Sequence, residues 1–273
     1  MICGINLLSA AALPIILVIK TVKIQTRTHT VMQTKTKGLV IKEQTIGESD
    51  RLITVLTAEY GLVKAFVRKA KSIRSQNLSA TSVFAYSEFT LYRSREAYVV
   101  DNATAIEIFF DLRNDLESLS LAQYFAQLTY FLSAQEQPAP EMLRLILNAL
   151  HLLCKGEKSH KLVKAAVELR MMTLGGYMPD ILACYRCGEY ESDIMYFDVE
   201  EGCIYCKDCY RNNAVEMPLT VVKAIRYICL VDLKKIFSFN ISDENMNILS
   251  DISEKYLLSR VESKLTTLDF YKR

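Results

Sequence analysis

The chain has 273 residues, 51% hydrophobic and 23% charged, a globular composition with room for about two domains. Its net charge of +2 excludes anion binding driven by bulk charge, so any nucleic-acid contact must come from local charge distribution. Eight cysteines, five of them within 184–209, argue against a disulfide-stapled secreted domain and for a reducing compartment with one metal site.

The first residues do not match the rest. Ile5 to Ile19 is apolar but broken by Asn6, Ser9 and Pro14, and shorter than the roughly twenty residues a membrane span needs. Lys20, Lys23 and Arg27 follow this run, whereas a signal sequence carries its positive charge in front. Three readings compete: a poor signal or anchor, a real extension without fold, or a start placed upstream of Met32. Met32 stands directly before a well-patterned strand, so 1–31 is expected to be a doubtful extension.

From Met32 the pattern is that of short strands. Residues 35–42, Arg51 to Thr57 and Leu62 to Val67 are strand-like, separated by Gly47-Glu48-Ser49-Asp50 and Glu59-Tyr60-Gly61 turns. Val83 to Tyr92 and Ala97 to Phe110 resume the pattern, with a basic turn at Arg93–Arg95. Five such strands fit a small closed barrel of the oligonucleotide-binding (OB) type over 32–110. Between Gly61 and Ser87 lie Lys64, Arg68, Lys69, Lys71 and Arg74 with no acidic residue. Such a stretch is either a solvated loop or an electrostatic groove for single-stranded nucleic acid. Tyr60, Phe66, Phe84, Tyr86, Phe89, Tyr92 and Tyr98 share the region; most are expected in the core, with one or two left for stacking bases.

After Asp111 the apolar spacing becomes helical. Asp115 to Ser133, a helix opened by Pro140 and closed near Lys155-Gly156, and a third from Ser159 to Gly175-Gly176 are predicted. Beyond the cysteines, Pro218 starts a helix to Leu230 and Asp243 to Tyr256 or further forms the last, followed by a polar tail. The expected fold is α+β and multidomain: the barrel, then a helical domain over 111–273 with a cysteine module inserted at 181–211.

In that module, Cys184-Tyr-Arg-Cys187 and Cys206-Lys-Asp-Cys209 are two CxxC pairs separated by eighteen residues, the pattern of a four-thiolate zinc site. Gly188 and Gly202 supply turns, and Ile194 to Val199 reads as an internal strand. Four sulfurs would leave no open position for a catalytic water, so the zinc is expected to be structural. Cys203 keeps an alternative open, in which Cys203/Cys206 is the second pair and Cys209 is spare. No catalytic set appears. His29 lies in the doubtful leader, His151 on an amphipathic helix and His160 near a helix start, where a surface or helix-end histidine is expected, and no phosphate loop, HExxH or GxSxG occurs.

Thr36-Lys-Gly-Leu-Val-Ile-Lys42, Glu48-Ser-Asp-Arg-Leu52, Thr57-Ala-Glu-Tyr-Gly-Leu-Val63 and Val67-Arg-Lys-Ala-Lys71 with Leu78-Ser79 resemble the start of the bacterial RecO DNA-repair family. Glu168-Leu-Arg170, Gly176-Tyr-Met-Pro179 and Cys184-Tyr-Arg-Cys-Gly188 are similar to that family's helix-to-zinc segment, and Cys206/Cys209 match its second pair. The resemblance covers about 32–210 and implies the OB barrel, the helical domain and the Cys184, Cys187, Cys206, Cys209 zinc module. It also implies a non-enzymatic recombination mediator of the cytoplasm and nucleoid. Such proteins bind single- and double-stranded DNA and anneal complementary strands. They engage the C-terminal tail of single-stranded-DNA-binding protein and, with RecR, help load RecA, with no small-molecule substrate. Lys37, Arg51, Lys64, Arg68, Lys69, Lys71 and Arg74 are the DNA contacts it implies. The competing readings are a zinc-stabilised protein-interaction scaffold that binds no DNA, and a zinc hydrolase with an open metal position.

Overall fold

The computed structural model describes residues 33–68, 78–93, 97–210 and 214–273; the expectations for 1–31, Lys69, Lys71 and Arg74 lie outside the described residues. Five strands, β1 (Gln33–Ile46), β2 (Asp50–Thr57), β3 (Gly61–Val67), β4 (Ala85–Arg93) and β5 (Tyr98–Ile108), close into a barrel in the order β1-β2-β3-β5-β4. β4 pairs back onto β1 to complete it, and only β3 and β5 run parallel.

Alternation explains the closure. Val63, Ala65 and Val67 of β3 meet Val40, Ile53, Val55, Phe89, Leu91, Val100 and Ala103 inside the barrel, and Ala80 of the β3–β4 connection joins the same core. The opposite faces of β1–β3 carry Leu39, Ile41, Leu56 and Leu62, which with Phe84 and Phe109 belong to a second core continuous with the helices. The barrel is thus fastened along one flank. A bulge between Val40 and Lys42 adds a residue to β1 at this flank. β4 begins at Ala85, two residues later than the alternation suggests, because Phe84 takes a left-handed backbone (φ 64°) and its ring is buried in the helical core.

A short 3-10 turn (Phe110–Asn114) leads into α1 (Leu116–Leu132), α2 (Pro140–Lys155) and α3 (His160–Leu174). Asp115 caps α1 by accepting from the backbone N–H of Glu117 and Ser118, and Ser159 caps α3 through Leu162. α2 opens on Pro140 and stops at left-handed Gly156. Then β6 (Ile194–Asp198), β7 (Cys203–Cys206) and β8 (Val215–Pro218) form a small sheet in the order β7-β6-β8, followed by α4 (Leu219–Leu230), α5 (Asp243–Arg260) and α6 (Thr266–Tyr271). Met195, Phe197, Ile204 and Met217 of this sheet are buried in the helical core. The α+β order expected from sequence is the order observed.

Three elements depart from the sequence reading. β7 and β8 have four residues each, too few to establish a period. α6 stands where a polar tail is predicted; its six residues bury Leu268, and only contact with α1 reveals it. No described helix is long and apolar enough to cross a membrane.

Candidate nucleic-acid interface and metal centre

Because Val63, Ala65 and Val67 point into the barrel, the alternate residues of the same stretch point out. These are Lys64 and Arg68, both exposed, with half-buried Phe66 between them. Strand register extends this row sideways. Lys64 lies opposite Thr54 of β2, and Thr54 lies opposite Lys42 of β1. Beside it runs a second row, Phe66 opposite Leu52 and Leu52 opposite Gln44. The Lys42 ammonium in turn sits 5.3 Å from the ring centroid of Tyr130 on α1. The outer face of β1–β3 therefore carries exposed Lys64, Arg68 and Lys42 around half-buried Phe66, with buried Thr54 between the two lysines; cations beside a ring are the elements that hold phosphates and stack a base. Lys42 is absent from the sequence-derived contacts. The bulge that places it in the row is the signal that was not legible.

The other candidates are distributed differently. Lys37 is exposed on β1 but faces Glu88 of β4, five residues from Lys42 along the strand. Arg51 differs from the expectation most. Its side chain is 11% exposed and bonded to Glu43 at 3.1 Å, Thr81 Oγ1 at 2.8 Å and the Leu78 carbonyl at 3.3 Å. It ties the 78–81 segment to β2, and this engagement leaves it ill placed to meet a phosphate. Among the aromatics, Phe84 and Phe89 are core; Phe66, Tyr86, Tyr92 and Tyr98 are half-buried, and Tyr60 is exposed.

The cysteine centre is built by two tight turns and the end of β7. Gly188 N–H donates to Cys184 O at 2.9 Å, and Cys209 N–H to Cys206 O at 3.1 Å. Gly188 (φ 76°) and Gly202 (φ 71°) both take the left-handed backbone that favours glycine. The Sγ atoms of Cys184, Cys187, Cys206 and Cys209 all lie within 4.8 Å of one another, and Cys187 Sγ is 3.6 Å from Cys206 Sγ. Tetrahedral zinc with Zn–S bonds of about 2.3 Å separates its sulfurs by about 3.8 Å, so the set fits one ion. Cys203 stands apart. Three residues from Cys206 on one strand, it points to the opposite face, and it is not part of the four-sulfur cluster. The described cysteines form no disulfide.

The donor chemistry also fits. Burial opposes ionisation of Cys184, yet backbone N–H groups of Cys187, Cys206 and Arg186 bring its thiol down to about 6. Burial, and the sulfurs of Cys187 and Cys206 crowding it, push Cys209 up to about 12. Four thiolates this close repel one another without a cation among them, which is the condition a divalent soft metal satisfies. Burial raises the Cys203 thiol as well, so its position on the other face of β7, and not its acidity, separates it from the four.

Two family models match the chain: that described as Recombination protein O C terminal over residues 113–269, and the corresponding N-terminal one over 32–109. The chain belongs to the RecO family. The DNA repair protein RecO of Acetivibrio thermocellus is 34% identical over 240 residues, covering 87% of this chain and 96% of that protein. The DNA repair proteins RecO of Caldicellulosiruptor saccharolyticus and Alkaliphilus metalliredigens are 28% and 27% identical, covering 97% and 95% of their lengths.

In this RecO-family chain the segment Glu168-Leu-Arg170 now has a physical role. Glu168 accepts from Tyr124 at 2.7 Å and Ser253 at 2.6 Å, joining α1, α3 and α5. Arg170 donates to the carbonyls of Ile228, Cys229 and Val231, so it caps the end of α4.

Proposed function

We propose that this RecO-family protein is a DNA-binding recombination mediator in DNA repair. It binds and anneals single-stranded DNA and, with RecR, helps load RecA onto strands coated by single-stranded-DNA-binding protein, performing no catalytic step itself. The observation that carries the reading is Lys64, Phe66 and Arg68 alternating on the outer face of a closed OB-type barrel, with Lys42 in register beside them. Family membership and the printed name of the relatives, DNA repair protein RecO, support it.

In this reading 32–110 is a nucleic-acid-binding domain and 111–273 a helical domain with its cysteine module at 181–211. Lys37, Lys64 and Arg68 contact phosphates of single- or double-stranded DNA together with Lys69, Lys71 and Arg74, and Lys42 joins them. Arg51 ties the 78–81 segment to β2. Cys184, Cys187, Cys206 and Cys209 hold one structural zinc that closes the module, and the protein works in the cytoplasm, on the nucleoid. The helical domain engages the tail of the single-strand binding protein.

Phosphate contacts release counterions, so affinity should fall steeply with salt. Replacing Arg68, Lys69 and Lys71 together by alanine should weaken single-strand binding and flatten the salt slope by about two to three units. An unchanged slope would remove this face as the DNA site. A scaffold that binds no DNA predicts no gel shift with a short single-stranded oligonucleotide.

A further inference from the structure

A cavity of about 400 Å³ opens where the barrel meets α1, between β1, the residues before β4 and the outward side of the helix. Its size is within the usual range for a small-ligand site, roughly 300–1,000 Å³. Two rings form its helix-side walls. Tyr130 and Phe131 have centroids 5.9 Å apart and planes at 76°, so they make a corner. Phe131 is 41% exposed, a large apolar surface left open to water. Phe84, on its left-handed backbone, and Val83 line the barrel side.

The polar groups are few. The Lys42 ammonium stands over the Tyr130 ring at 5.3 Å. Gln123 places an exposed amide at the rim. Gln127 is engaged with Thr267 of α6, and the Glu43 carboxylate is paired to Arg51. The cavity thus offers a two-ring aromatic corner, one amide able to donate and accept, and one cation at its mouth.

That cation is the end of the row Lys64–Thr54–Lys42. A single strand whose phosphates follow the row arrives at the cavity with its next base above it. We infer that the seam between barrel and α1 captures one unstacked nucleobase, held against Tyr130 and Phe131 while Lys42 contacts the adjoining phosphate. The inference rests on the DNA-binding reading and deepens it: the strand would leave the barrel through this corner, and the base held there could not pair. A neutral ring with a polar edge suits the site, because the walls are aromatic and the amide can meet a base edge.

The test compares a short oligothymidine with an abasic strand of equal length, which keeps the phosphates and lacks the rings. The full chain should prefer the base-bearing strand by roughly tenfold for each stacked base, one at Phe66 and one at this corner. Phe131→Ala and Tyr130→Leu should lose about tenfold of that preference, leaving the share of Phe66, and keep the affinity for the abasic strand. Tyr130→Phe, which retains the ring, should keep the preference. A strand carrying one 5-iodouracil should crosslink on irradiation to the peptide containing 123–131. Equal affinity of the unaltered protein for both strands overturns the base pocket and leaves the phosphate reading intact. Variants that retain the whole preference overturn it too, and leave the cavity to an apolar protein segment. Failure to bind either strand overturns both readings.

Discussion

The Lys164 ammonium lies 2.8 Å from the Glu168 carboxylate one turn along α3, with side chains 3% and 0% exposed. Glu254 of α5 approaches the same ammonium at 2.9 Å, and Lys272 binds Glu254 at 2.6 Å. A buried pair of this kind is costly to break, because the remaining charge loses its partner while still out of water. Lys164→Met should destabilise the chain by about 3–5 kcal/mol. The double variant Lys164→Met/Glu168→Gln leaves Tyr124 and Ser253 an acceptor and should recover much of that loss in urea unfolding. A double variant as unstable as the sum of the singles would show that the charges do not act as a pair.

The two carboxylates on Lys164 titrate with opposite consequences. Burial raises Glu168 above its ordinary 4.5, outweighing Lys164. Its folded value exceeds its unfolded one, so it adds stability as pH falls from that raised value to 4.5. Burial also raises Glu254, but Lys272 and Lys164 outweigh it and hold Glu254 below 4.5. Its contribution is present above 4.5 and is lost as pH falls through the folded value. Glu254→Gln should therefore flatten the loss of stability below pH 4.5, and Glu168→Gln should remove a gain above it. Denaturant midpoints across this range check the signs.

Much of the architecture was legible because its physics is local. Strand alternation in Leu62–Val67, capping at Asp115 and Ser159, and the CxxC spacings all act within a few residues. What was not legible depends on contacts distant in sequence. Arg51 reads as a free cation until Leu78 and Thr81, 27 and 30 residues away, accept from it. Lys42 joins the outer row only through the bulge after Val40. Glu168 and Arg170 could be singled out by resemblance alone, since their partners lie on α1, α5 and the end of α4.

Gly61 and Gly47 both have left-handed backbone, φ 58° and 60°, but differ in surroundings. A Cβ on Gly61 would sit 2.2 Å from the Gln137 carbonyl oxygen and 2.7 Å from that of Ala134, where the hairpin presses on the α1–α2 connection. A Cβ on Gly47 meets nothing within 4 Å. Gly47→Ala should cost about 1–2 kcal/mol, the conformational term alone. Gly61→Ala adds a clash with backbone atoms that cannot rotate aside, so its loss should clearly exceed that. Equal midpoint shifts in thermal unfolding would mean the hairpin moves away freely.

Arg226 of α4 fastens the cysteine module to the helices. Its guanidinium donates to the carbonyls of Ile181 at 2.7 Å, Leu182 at 2.9 Å and Tyr190 at 2.7 Å, and lies 4.4 Å from the Tyr190 ring centroid. A lysine has neither the planar fork nor the reach to serve three acceptors at once. Arg226→Lys should therefore behave nearly as badly as Arg226→Met, with both speeding metal release to a chelator. Protection equal to that of the unaltered chain in Arg226→Lys would reduce this residue to a simple charge.

The cysteine centre makes the sharpest prediction. Cys203 and Cys209 are each three residues from Cys206, so sequence alone gives them equal claims as its partner. The strand separates them: β7 carries Cys203 and Cys206 on opposite faces, whereas the turn after β7 folds Cys209 back, with the Tyr210 N–H donating to Cys206 O at 3.0 Å. Cys209→Ser should therefore lose bound zinc and expose the module to protease, because a hydroxyl is a poor replacement for the fourth thiolate. Cys203→Ser should retain one zinc per chain, measured by elemental analysis, and lose only the modest stability of a buried thiol. The opposite pattern, with metal kept in Cys209→Ser and lost in Cys203→Ser, would require a bulge inside β7 that brings Cys203 and Cys206 to one face. Such a bulge would disturb Ile204, which lies between them and is now fully buried in the core.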